Sequence, residues 1–114
     1  MKIAKTIYFP RQEFQGLPPG DKSALLSLGL GIAGYPLVGQ SAAAMWQLPN
    51  IDTRKGFVPE IRGRRRAPCI DARMRMVPPA EIIGATRSGN DFTVSSPAMT
   101  VVNIARWHGL REAT

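Results

Sequence analysis

Phe57-Val58-Pro59-Glu60-Ile61-Arg62-Gly63-Arg64-Arg65-Arg66-Ala67-Pro68-Cys69-Ile70-Asp71-Ala72-Arg73-Met74-Arg75-Met76 is the stretch on which the fold turns. Upstream of it apolar residues recur at helical spacing, and from Phe57 the repeat becomes two. Residues 57–61 are a strand candidate. Ile70, Ala72, Met74 and Met76 alternate with Asp71, Arg73 and Arg75, so one face of a second strand goes to the core and the other carries two arginines. Residues 62–68 between them have the composition of a hairpin loop, where water screens like charges from one another.

Working outward, residues 81–86 and 92–95 form a second hairpin candidate across Ser88-Gly89-Asn90-Asp91, the clearest turn chemistry in the chain. The last element is a helix capped by Ser95 or Ser96. Pro97 lies in its first turn, Val101, Ile104 and Ala105 on its buried face, and Gly109 at its C-cap. Arg106 and His108 fall in the final turn, where positive charge complements the carbonyl end of the helix dipole. Toward the N-terminus, residues 39–48 read as an alanine-rich helix stopped by Pro49, with Ala42, Met45 and Trp46 on one face. Before it, Asp21 is a good N-cap for a helix carrying Ala24, Leu25, Leu26 and Leu28. That helix should be short, weakened by Gly29, Gly31 and Gly34 and ended by Pro36. Residues 3–9 read as a short strand, followed by a Pro/Gly turn over 16–20. The expectation is a small single α+β domain over residues 1–114 with short helices, two β-hairpins and a C-terminal helix.

Composition sets the boundaries of function. A chain of 114 residues supports one core, and 10 Pro with 11 Gly is more punctuation than a helical bundle tolerates. No stretch approaches the length of a membrane span and the start lacks an apolar leader segment, so neither membrane insertion nor secretion is expected. Cys69 is the only cysteine, which excludes a disulfide framework within one chain and leaves the cytoplasm as the expected compartment. The net charge of +7 is concentrated: Arg54, Lys55, Arg62, Arg64, Arg65, Arg66, Arg73 and Arg75 face only Glu60 and Asp71, an excess of six within residues 54–75. These eight basic residues are the candidate binding surface for nucleic acid or an acidic protein partner.

Catalytic apparatus is not expected. Gly29-Leu30-Gly31-Ile32-Ala33-Gly34 matches G-x-G-x-x-G, but a dinucleotide site needs a strand before the glycines and a long helix after them. Here the preceding segment reads as helix and Tyr35-Pro36 blocks a following one. The unique His108 and Cys69 are expected in structural roles, and the eight carboxylates stand singly, without metal-ligand spacing. No catalytic residue, metal or cofactor is therefore assigned. Trp46 and Trp107 suit packing better than base stacking.

Three stretches resemble a known family. Gln40-Ser41-Ala42-Ala43-Ala44-Met45-Trp46-Gln47-Leu48-Pro49 is similar to E-S-A-A-A-L-W-G-L-P, and Val77-Pro78-Pro79-Ala80-Glu81-Ile82-Ile83 to L-P-P-x-E/D-V-V. Residues 92–106, from Phe92 through Ser95-Ser96-Pro97-Ala98-Met99 to Arg106, are similar to L-P-V-T-S-P-A-R-T-V-V-D-L-A-R. With these, residues 38–114 resemble a domain of AbiEi-type antitoxins of type IV toxin–antitoxin systems, found also in actinobacterial proteins that join it to an endonuclease-like region. Met99 stands where the family usually has Arg, Asn103 where it has Asp, and Asp71 where a basic residue or His is common. Residues 1–36 form an N-terminal extension too short and too rich in Gly and Pro for the winged helix-turn-helix of such antitoxins. The resemblance implies a non-enzymatic antitoxin-like or regulatory domain, with a cognate toxin as one kind of partner. Its alternative is an accessory domain of a nuclease-like protein whose catalytic part lies outside this chain.

Overall fold

The computed structural model describes residues 1–4, 7–49, 51, 53–63 and 70–109. A β-hairpin opens the chain, β1 (Lys2–Ala4) against β2 (Ile7–Tyr8), followed by helices α1 (Arg11–Gln15), α2 (Pro19–Ile32) and α3 (Gly39–Trp46). Then come β3 (Glu60–Arg62), β4 (Arg73–Arg75), a single 3-10 turn at Pro79–Glu81, β5 (Ile82–Arg87), β6 (Asn90–Ser95) and α4 (Pro97–His108). This is the α+β domain the change of period implies.

One residue joins the two later strand pairs. Leu37, fully buried, bridges antiparallel to Ile61 and parallel to Val94. Its N–H donates to Thr93 O at 2.9 Å and its carbonyl accepts from Ser95 N at 3.0 Å. On its other side Arg62 N donates to Pro36 O at 2.9 Å and Val38 N to Glu60 O at 3.1 Å. The result is a continuous surface in the order β4, β3, Leu37, β6, β5. Ile3, Leu30, Leu37, Ala42, Met45, Ile61, Phe92 and Val94 form the main core beneath it, with α2 and α3 supplying the helical layer. Ala43, Ile51 and Ile104 form a smaller cluster between α3 and α4.

Buried hydroxyls align the approach to β3. Ser23 Oγ accepts from Phe57 N at 2.8 Å, Ser27 Oγ lies 2.7 Å from Ser41 Oγ, and Ser41 Oγ accepts from Glu60 N at 2.8 Å. Each hydroxyl satisfies a backbone or side-chain group that burial would otherwise leave unpaired.

Several sequence expectations change. The strands flanking the arginine run do not make a hairpin: β3 and β4 run parallel, with Glu60 opposite Arg73, Ile61 opposite Met74 and Arg62 opposite Arg75. The second strand starts beside the first, where Arg73 N donates to Pro59 O at 2.7 Å. The other expected hairpin does form, as β5 against β6, and a further one lies at the N-terminus, where β1 and β2 replace the single expected strand. Helix α2 is not short, running through Gly29 and Gly31, because both glycines are contact points. A Cβ on Gly29 would lie 2.9 Å from Ile3 Cγ2, and one on Gly31 would lie 2.5 Å from the Phe92 ring. Its N-cap is Pro18 rather than Asp21, with Pro19 at the first helical position.

Met76 is 67% exposed rather than in the core. On α4 the buried positions are Thr100, Asn103 and Ile104, while Val101 lies outward. Ser96 caps that helix, accepting from Met99 N at 3.3 Å. Among the described residues no helix is long and apolar enough to cross a membrane.

Candidate functional site

Helix α3 begins directly where the chain leaves the sheet at Leu37. Its N-cap, Val38, has no side-chain oxygen for the unpaired N–H groups of the first turn. Glu60, on the neighbouring strand, supplies one. Its Oε1 accepts from Gln40 N at 2.9 Å, placing a carboxylate at the positive end of the helix. Gly39 adopts φ +54, and a Cβ there would collide with the Glu60 carboxylate, so the close approach requires glycine on two grounds.

The Glu60 side chain is fully buried, and a guanidinium and an imidazole complete its shell. Arg75 Nε donates to Oε2 at 2.7 Å, and His108 Nε2 lies 2.9 Å from Oε1. Trp107 covers the arginine, its ring centroid 4.7 Å from the guanidinium carbon. Three elements distant in sequence, the start of α3, the β3–β4 pair and the last turn of α4, thus meet at one carboxylate. His108 does sit in the final helical turn, as its position implies, but its partner is Glu60. Arg75, expected on a solvent face beside Arg73, is half-buried in this ion pair.

The basic candidates separate into groups. Arg62, Arg73 and Arg75 share the Glu60 face of the β3–β4 pair, since residues two apart on a strand and register partners in a parallel pair point the same way. Arg62 Nε donates to Val77 O at 2.7 Å. Arg62 and Arg75 line a recess of about 260 Å³ with Gly63, Met76 and Val77. Arg54 and Lys55 sit in the turn closed by Gly56 N to Thr53 O at 3.0 Å, a turn packed against Gly20 at the start of α2. Arg64, Arg65, Arg66 and Cys69 lie outside the described residues.

Register places Arg62 beside Arg75, and like charges at neighbouring positions of a sheet repel. Glu60 offsets one of them. Among the described residues no carboxylate pairs with Arg62 or the exposed Arg73, which add positive charge to a surface built on the sheet. Chemically the arrangement can hold an anion. Among the described residues no group of three His, Cys, Asp or Glu side chains is placed to hold a metal.

Glu60, Trp107 and His108 are the site residues that sequence reading misses. The one available signal is a lone carboxylate inside the apolar run Phe57-Val58-Pro59-Glu60-Ile61, because burying a charge requires a partner. The G-x-G-x-x-G match falls in the last turns of α2 and the residues after it, not at a helix N-terminus. No protein-family model, curated protein or solved structure matches the chain.

Proposed function

We infer that the chain is a non-enzymatic, antitoxin-like or regulatory domain that acts in the cytoplasm by holding a polyanion, nucleic acid first, against the arginine face of β3 and β4. One observation carries this reading: Arg62 and Arg75 are register neighbours on a face that also bears Arg73, where the Glu60 carboxylate pairs with Arg75. The sequence continues from Arg62 through Gly63 into Arg64, Arg65 and Arg66, so the densest charge in the chain follows β3 directly in sequence. Guanidinium forks suit phosphate oxygens, and contacts of this kind position a duplex without reading its sequence. The similarity of residues 38–114 to antitoxin domains supports a regulatory role over a catalytic one.

Fluorescence anisotropy with a labelled DNA duplex at low salt tests it. The R64A/R65A/R66A protein should bind at least about tenfold more weakly than the parent, since every phosphate that is no longer neutralised keeps its counterions and withholds their release from the binding free energy. Equal affinity of the two proteins, or no binding by the parent, would reject nucleic acid as the partner. Binding of an acidic polypeptide with the same arginine dependence would then identify a protein in its place.

A further inference from the structure

The β5–β6 hairpin leaves one edge of the sheet open. Its turn is the two-residue pair Ser88-Gly89, with φ of 52° and 81°, so Arg87 and Asn90 close the ladder and the inward hydrogen-bonding positions of β5 are Arg87, Ala85 and Ile83. The N–H and C=O groups of Ile82, Gly84 and Thr86 therefore point away from β6. On β6 the equivalent outward groups are taken by Leu37, through Thr93 O and Ser95 N. On β5 the Ile82 N–H is taken by the Pro79 carbonyl, while among the described residues no backbone group takes the Ile82 C=O or the N–H and C=O groups of Gly84 and Thr86. The strand also lacks the usual protections of an edge: it has no Pro, no bulge in its register and no charge before Arg87.

The sequence around that edge is complementary to itself. If a second copy pairs antiparallel about a two-fold axis at Gly84, the Ile82 C=O accepts from the other copy's Thr86 N–H and Gly84 exchanges both bonds with its own counterpart. The same register sets Ile83 opposite Ala85 and brings Glu81, in the 3-10 turn just before β5, to the end of the strand that faces the other copy's Arg87. Ile83 is 40% exposed in one copy and would be covered on the core-facing side. Glu81 Oε1 is buried with no hydrogen-bond partner, while Arg87 uses Nη1 on the carbonyls of Ala44 and Met45 and has further N–H groups to give. Shifting the axis by one residue either way removes the match between Glu81 and Arg87. Gly84 is open around its Cα, with nothing within 4 Å of a Cβ position, so a second backbone can approach.

We propose that β5 is a self-recognition edge and that two copies of this chain join through it, antiparallel about Gly84, into one continuous sheet. The pairing is isologous, so the Glu81–Arg87 contact is made twice. It is independent of polyanion binding, because the arginine strand β4 lies at the opposite edge of the sheet.

Sedimentation of nucleic-acid-free protein at about 100 µM, a concentration suited to a small interface, should give twice the 12.4 kDa mass of one chain. Glu81→Arg alone should weaken association at least about tenfold by setting like charges opposite each other, and Arg87→Glu alone should do the same. An equimolar mixture of the two variants re-forms both contacts as Glu–Arg pairs and should recover the dimer. Gly84→Pro, which removes an outward N–H, should be monomeric, with circular dichroism checking that each variant is folded. A wild-type monomer at that concentration, a dimer indifferent to Glu81→Arg, or a variant mixture that stays monomeric overturns the proposal.

Discussion

Glu60 is a carboxylate with no exposed surface and three donors around it, and its worth depends on all three being present. A buried charge is tolerated only when paired and hydrogen-bonded, and removing one side of such a cluster leaves the rest uncompensated. Glu60→Ala strips the acceptor from Gln40 N, Arg75 and His108 together, and should lower unfolding free energy by about 3 kcal/mol. Urea unfolding measures it; a loss under about 1 kcal/mol would mean that water replaces the carboxylate and the cluster is not structural. His108→Ala leaves Arg75 and the helix N–H in place and should cost less, about 1 kcal/mol. At this scale the sequence was least informative. The alternation that places Arg73 and Arg75 on one face is visible in residues 70–76. Nothing local shows that the end of α4 folds over that face and turns it from solvent into an ion-pair pocket.

Elements were easier to read where local chemistry determines them. The Ser96-Pro97 start and Gly109 stop of α4 were legible because caps are written in adjacent residues, and so was the Ser88-Gly89 turn. The β3–β4 pairing was not, since loop composition reports that a chain turns but not which way the next strand runs. Helix α2 was underestimated for a related reason: glycine lowers helix propensity by about 1 kcal/mol, yet at Gly29 and Gly31 the missing side chain makes room for Ile3 and Phe92.

That reversal is testable. Gly31→Ala raises intrinsic propensity but drives a methyl into the Phe92 ring and within 3.0 Å of Leu37 Cδ1, so it should destabilise by about 1–3 kcal/mol. Phe92→Leu in the same protein should return part of the loss, and a more stable Gly31→Ala would show that the contact is loose. In the β5–β6 turn the opposite sign applies. Ser88 holds φ 52°, which Asn adopts more readily, so Ser88→Asn should raise stability by about 0.5 kcal/mol in thermal or urea unfolding. A decrease there would mean that the turn geometry is not type I′.

The field of the whole molecule is dominated by one segment. The net charge is +7, and residues 54–75 hold an excess of six, so charge outside that window nearly balances. If the chain binds a polyanion, as we propose, charge concentrated in this way would orient the approach before contact. Within that region the contributions differ. Arg75 is committed to Glu60 and Trp107, Arg62 gives its Nε to Val77, and Arg73 lies exposed on the same face. Phosphate contacts release counterions, so log affinity for duplex DNA should fall linearly with log salt, by about 0.9 for each phosphate neutralised. Contacts from Arg64, Arg65, Arg66, Arg62 and Arg73 would give a slope of about −4 to −5, and the R64A/R65A/R66A protein about −2. Arg73→Ala should remove roughly one unit and leave folding intact, because an exposed arginine contributes little to stability. Arg75→Ala is the informative contrast: it should lower stability by exposing the unpaired charge of Glu60, while changing the slope by less than Arg73→Ala. Equal slopes for these single variants would mean that binding reads net charge alone, with no preferred face, and would remove the β3–β4 surface from the site.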